Sequence, residues 1–217
     1  MVESYVRLDA RTAEEGYLQA KSWAGAAGAA IDSALLFGVG PAVIGALDEL
    51  GPVLVIPPLS GSPAAVGAAA ERLARFGASW ITVASNSGVE AMRAAVAAVA
   101  GAGCRVAVET LPVGIDDAAA AALVGSARGR HVSRLVAAGA GAGVDGVVCA
   151  WGDLGVVAQV APGLIRILDP GDGEARWADA VARGAGVLVL PDAAALHALG
   201  PARGEEARPS GRSRRRR

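Results

Sequence analysis

Eight short apolar runs alternate with helix-like segments through the first 200 residues, and this alternation limits the fold more than any other feature. Strand-like runs fall at residues 5–9, 52–57, 79–84, 104–109, 144–149, 164–168 and 186–190, with an eighth of weak propensity at 29–33. Helical apolar spacing marks residues 13–23, 41–50, 63–76, 89–102, 131–142, 153–160, 174–183 and 193–199. Ser62 followed by Pro63 is a helix start, and Asp153 and Asp192 can cap the turns that follow them. Strands separated by helices pair in parallel. Eight such units predict a closed α/β structure, a single (β/α)8 TIM barrel, and 217 residues lie near the lower size limit for one. No GxGxxG follows a strand and no phosphate-loop signature occurs, which disfavours an open nucleotide-binding sheet.

The expected organisation is a barrel domain over residues 1–200 and a disordered, arginine-rich tail over 201–217. The tail holds seven arginines and two glutamates, leaving 13 basic and 19 acidic residues in the domain. With no large apolar side chain to dock, the tail reads as solvated, with weak contact to a polyanion as the functional alternative. No apolar run approaches the roughly 20 residues needed to span a bilayer, so no membrane association is expected. Cys104 and Cys149 lie in strand-like runs without a CxxC, consistent with free thiols and a cytoplasmic location. His131 and His197 are too few and too far apart for a histidine zinc site.

In a barrel the chemistry sits where strands end. Asp9, Asp32, Glu109, Asp169 and Asp192 all fall at such ends, together with Ser85, Asn86, Trp151 and Gly171. Asp9, Glu109 and Asp169 are the candidate catalytic groups, because carboxylates crowded at one mouth shift each other's proton affinity. Such a mouth suits a divalent ion such as Mg²⁺ or an amine-bearing small molecule. Structural roles compete at each position. Asp192 can cap the last helix, Asp169 can stabilise the turn before Pro170, and Asp32 can pair with an arginine. Asn86 or Ser87 can cap the helix near Val89. Trp151 can stack on a planar ligand or wedge against a helix, and Gly171 belongs to a turn able to offer backbone amides to an anion.

Five segments carry a resemblance to a known family: YVRLDARTAEEG, LLFGVGPAVIGAL, ASWITVASNSGVEAMRAAV, RHVSRLVAAGAGAGVDGVVCAW and ARWADAVARGAGVLVL. Together, from Tyr5 to Leu199, they resemble the orotidine 5′-monophosphate decarboxylase superfamily. The resemblance implies a lyase scaffold, a homodimer, and a DxKxxD array after the third strand. In VLVIPPLSGSP, however, Ile56, Pro58 and Gly61 fall where the array's aspartate, lysine and aspartate are expected. The phosphate-gripping arginine after the eighth strand corresponds to Asp192, and Arg176 is the nearest basic substitute. The chain's one lysine is Lys21, in the first helix. Three readings follow: a diverged enzyme of altered lyase or isomerase type acting on a small polar metabolite, a non-catalytic binding protein (a pseudoenzyme), or a carrier for the basic tail.

Overall fold

The computed structural model describes residues 2–23, 28–112, 114–169 and 176–199. Gly171 and the tail at 201–217 lie outside the described residues. The strands are β1 (Glu3–Arg7), β2 (Gly28–Ile31), β3 (Val53–Leu59), β4 (Ala78–Ala84), β5 (Arg105–Glu109), β6 (Gly146–Cys149), β7 (Ile165–Leu168) and β8 (Val187–Leu190). They pair in sequence order, all in parallel, and close when β1 meets β8, with Glu3 opposite Val187 and Val6 opposite Leu190. The expected eight-stranded barrel is therefore observed. Between the strands run α1 (Ala13–Ser22), α2 (Ser33–Val39), α3 (Ala42–Asp48), α4 (Pro63–Arg75), α5 (Val89–Ala98), α6 (Asp117–Val124), α7 (Arg128–Ala142), α8 (Leu154–Val160) and α9 (Trp177–Ala182), and α10 (Ala193–Leu199) follows β8. Among the described residues no helix is long and apolar enough to cross a membrane.

The core has two shells. Alternating strand residues fill the barrel, including Tyr5, Leu54, Trp80, Ala107, Val148 and Ile167. The intervening residues, such as Val6, Val55, Ile81, Val106 and Val147, pack outward against helices. β2 has weak strand propensity because closure demands small residues there. A Cβ on Gly28 would meet the Pro52 carbonyl oxygen at 2.5 Å and the Tyr5 ring at 2.7 Å. Its sequence GAAI is set by tertiary fit rather than by local preference.

β1 begins two residues earlier than its apolar pattern suggested and ends at Arg7, not Asp9. α2 and α6 were not expected. Asp32 caps α2 by accepting from the Leu35 amide at 2.9 Å, and Asp116 caps α6 from the Ala119 amide at 2.8 Å. α6, DAAAAALV, is nearly uniform in hydropathy and so has little helical period to detect. In β3, Pro57 and Pro58 remove two ladder donors and the register with β4 slips between Val55 and Leu59. The buried Thr82 hydroxyl donates to the Ile56 carbonyl at 2.6 Å, which satisfies the broken stretch.

At the amino ends of the strands, Arg105 donates to both carboxylate oxygens of Glu3 at 3.1 and 2.9 Å, and its guanidinium lies 4.2 Å from the Trp80 ring centre. The Tyr5 hydroxyl donates to the same carboxylate at 3.1 Å. This group plugs the bottom of the barrel.

Candidate active site at the barrel mouth

Strand alternation carries three charged side chains to the mouth. Tyr5, Ala107 and Ile167 face the barrel interior, so Arg7, Glu109 and Asp169, two positions further on, face inward at the carboxyl ends of β1, β5 and β7. Arg7 donates through Nη2 to both oxygens of Asp169, at 2.9 and 3.0 Å. The pair is sheltered, with side chains 29% and 13% exposed. Among the described residues the buried Arg7 Nε has no hydrogen-bond partner, and neither has Nη1.

Glu109 is half-buried, and its carboxyl receives no hydrogen bond among the described residues. Burial, and then the charge of Asp169, push it above the usual carboxylate range. This is the environment of a group that exchanges a proton closer to neutrality than a surface glutamate does.

The mouth on the β4–β6 side is firmly stitched. The Ser85 hydroxyl donates to the Thr110 carbonyl at 3.0 Å, and the Thr110 hydroxyl bonds the Val148 carbonyl at 3.4 Å. Arg128 donates to Asp153 at 3.2 and 2.6 Å and to the carbonyls of Leu111, Pro112 and Ile115. All its donors are used in holding the exit of β5 to the turn after β6.

The expectation that five acids crowd one mouth with no lysine to neutralise them is corrected in two ways. Arg7, which the sequence reading passed over, neutralises Asp169. Asp32 and Asp192 are turned to helix starts instead; Asp192 accepts from the Ala195 amide at 2.8 Å. Among the described residues no three His, Cys, Asp or Glu side chains gather as a metal site requires. The acids that were to hold Mg²⁺ are dispersed, because helix amides and Arg7 claim three of them. Asp9 is exposed beyond β1, with its backbone held on both sides by the Gln19 side chain. Glu109 and Asp169 are brought together; Asp9 stands at the rim.

Other positions also differ from expectation. Asp153 makes no cap bond and is buried against Arg128. Neither Asn86 nor Ser87 caps α5, whose N-cap is Gly88, with φ of +84° and no side-chain cap bond. Asn86 is exposed on a 3-10 turn, and the Ser87 hydroxyl accepts from the Gly61 amide at 3.2 Å. Trp151 is engaged by protein cations, with Arg183 at 3.9 Å and Arg176 at 5.5 Å from its ring centre. Cys149 is fully buried behind the mouth, and burial, then Asp153, push its thiol up to about 12, so it is no nucleophile. Arg7 was findable: a period-two count from the interior Tyr5 places it inside.

No family model matches the chain. An orotidine 5′-phosphate decarboxylase of Anaeromyxobacter sp. (strain K) is 36% identical over 166 residues, spanning 70% of this chain and 72% of that protein. Among solved structures, an uncharacterized conserved protein from Geobacillus kaustophilus superposes with a TM-score of 0.79 at 21% identity, covering 90% of this chain and 97% of its own. Orotidine 5′-phosphate decarboxylase from Lactobacillus acidophilus gives 0.78 at 18% identity, with 92% and 97% covered. The Methanocaldococcus jannaschii orotidine 5′-monophosphate decarboxylase, complexed with the inhibitor BMP, gives 0.75 at 15%, with 91% and 92% covered. The structures share the barrel, and the identity and coverage of the Anaeromyxobacter relative go further: the chain belongs to the orotidine 5′-phosphate decarboxylase family.

Proposed function

We propose that this chain keeps the family barrel but does not decarboxylate orotidylate, and that its mouth binds a small polar metabolite on which Glu109 acts as a proton-transfer group. The observation that carries the reading is the position of Lys21. It is the chain's one lysine, and it lies exposed in the last turn of α1, the end of that helix that points away from the mouth. Ile56 and Pro58 occupy β3 where the resemblance expects an aspartate and a lysine. The cation beside the inward-facing carboxylates is Arg7 on β1 instead. An arginine balances a carboxylate but does not surrender a proton in proteins, so it cannot protonate a nascent carbanion.

Glu109 can take that step, because its carboxyl has no hydrogen-bond partner among the described residues and is held above the ordinary range by burial and Asp169. Arg7 and Asp169 then act as fixed charge beside it. Chemistry of lyase or isomerase type, moving one proton on a bound metabolite, fits this set. Complementation tests the negative half: a strain unable to make uridylate should not grow without uracil when it expresses this chain. Growth would sink the proposal.

The homodimer implied by the family has a candidate face. A groove of about 430 Å³ between α2 and α4 is lined by Leu36, Leu59, Ala69 and Leu73, with Phe37 beside it 79% exposed. An apolar surface of this kind marks a contact site, and a second copy is the occupant we propose. Sedimentation should show a species of twice 21.4 kDa, reduced to the monomer by Phe37→Glu; a wild-type monomer at micromolar concentration refutes the pairing.

A further inference from the structure

α7 opens on a residue that suits a helix start poorly. The helix dipole favours acidic side chains at that end. Yet α7 has no acid in its first turn and begins with Arg128, after an N-cap, Ala127, that makes no side-chain bond. The Arg128 amide is taken by a more distant acid instead, Asp117 Oδ1 at 3.0 Å. Asp153, at the start of α8, likewise makes no cap bond. Both side chains turn inward and form a buried pair, 13% and 5% exposed. A buried pair of this kind is often no more stabilising than apolar residues of similar volume. Where a sequence breaks its local rules, functional or strained sites are the expected places.

The five N–H donors of a guanidinium are all matched here. Nε and Nη2 of Arg128 meet the two Asp153 oxygens at 3.2 and 2.6 Å. Nη2 also reaches the Leu111 carbonyl at 3.3 Å, and Nη1 the carbonyls of Pro112 and Ile115 at 3.1 and 2.6 Å. Those carbonyls lie just beyond Glu109, the last residue of β5. Nearer to Glu109 the strand end is held more lightly. The Thr110 amide and hydroxyl both reach the Val148 carbonyl at 3.4 Å, and the Ser85 hydroxyl donates to the Thr110 carbonyl at 3.0 Å. Neutral bonds at the longer distance are weak, whereas bonds from a charged donor are roughly twice as strong as neutral ones. Arg128 is thus the firm anchor of this strand end. It acts on Glu109 through the backbone, since the charge that bears on the Glu109 carboxyl is that of Asp169.

We propose that Arg128 is a positioning residue for Glu109: by fastening the exit of β5 to Asp153, it keeps the Glu109 carboxyl in its sheltered place at the mouth. The inference rests on the reading of Glu109 as a proton-transfer group, and it adds what holds that group ready. The charged groups facing Glu109 are Asp169 on β7 and Arg7 on β1, and the test alters neither. Glu109 is titrated in the full chain by carbon-13 NMR of the glutamate side-chain carboxyls, its signal assigned by its loss in Glu109→Gln. Hydrogen exchange is followed alongside at the Thr110 and Ile115 amides, which bond the Val148 and Pro112 carbonyls. Wild type is compared with Arg128→Lys and with the double variant Arg128→Met, Asp153→Leu. The lysine keeps the charge but brings three donors in place of five. The double variant removes both charges together, so it leaves no unpaired buried charge to unfold the barrel and does not change the net charge.

Exchange at both amides should quicken about tenfold in the variants, as when local opening becomes about 1.4 kcal/mol easier. As water reaches the loosened strand end, the Glu109 midpoint should fall toward the ordinary carboxylate value, and furthest in the double variant. The direction is diagnostic, because losing a nearby positive charge by itself would raise the midpoint. If Arg128→Lys does not fold, the double variant decides. A midpoint that stays or rises while exchange quickens overturns the proposal: Arg128 is then a structural clamp only, and the proton-transfer reading stands. Unchanged exchange overturns it as well. A wild-type Glu109 that titrates at the ordinary carboxylate value overturns the proton-transfer reading, and the positioning role falls with it.

Discussion

The two ends of the barrel each hold a glutamate on an inward-facing strand position, and the two are treated in opposite ways. At the bottom, burial would raise Glu3, but the hydrogen bond and charge of Arg105 outweigh it and hold the carboxyl below its usual range, with Tyr5 adding a further donor. At the mouth, Glu109 is more deeply placed, has no hydrogen-bond donor among the described residues, and faces Asp169, so its carboxyl is raised. The mouth's arginine exists but is committed elsewhere: Arg7 serves Asp169. The same residue type therefore stabilises the folded state at one end and is tolerated at a cost at the other. Burial of a carboxyl is thus compensated at the bottom of the barrel and left uncompensated, among the described residues, at the mouth, which is the asymmetry the proposed role of Glu109 draws on.

The larger expected effect is at the mouth. Glu109→Gln removes a charge with little change in volume, and single stabilising substitutions commonly gain about 0.5–2 kcal/mol. The sign follows from proton binding. Between the unfolded and the raised folded values, the native state holds the proton more tightly than the unfolded chain does, so wild-type stability falls as pH rises through that window. The variant should melt higher than wild type at neutral pH, and the gap should close in acid, below the unfolded value. Thermal melts across pH read both. A variant that melts lower at neutral pH would mean that Glu109 is held by partners, and the contrast between the two ends would collapse.

The fold was legible because strand runs and helix period agree over most of the chain, as at residues 79–84 and 63–76, found as β4 and α4 within one residue at each end. Where it was not legible, local signal was weak for a physical reason. GAAI in β2 is dictated by Tyr5 and Pro52 crowding Gly28, and α6 is too uniformly apolar to show a face. The site was half legible. Counting strand ends found Glu109 and Asp169, and capping preference named Asp192 as a helix cap, but the partners of Asp32 and Asp169 were not found. Asp32 and Asp192 were drawn off by amides three residues ahead, a competition that capping preference flags in principle. The pairing of Arg7 with Asp169 joins residues 162 positions apart, and it could be seen only once the barrel had closed.

The smallest expected effect lies at the bottom and has the opposite pH dependence. Glu3→Gln removes an ion pair whose side chains are 43% and 34% exposed, so screening limits the loss to less than about 1 kcal/mol at neutral pH. A depressed carboxyl binds its proton more weakly in the native state than in the unfolded chain. Its contribution is thus present in full above the unfolded value and fades as pH falls through the folded one. Wild type should melt higher than Glu3→Gln at neutral pH, and the two curves should converge in acid. High salt should narrow the gap further, because exposed pairs are screened over about a Debye length. Convergence in acid is shared with Glu109→Gln, but the order of the melts at neutral pH is reversed. If Glu3→Gln melts at or above wild type there, the desolvation of Glu3 outweighs Arg105. The bottom of the barrel would then carry the same kind of cost as the mouth, and the assignment of reactivity to Glu109 by contrast would lose its support.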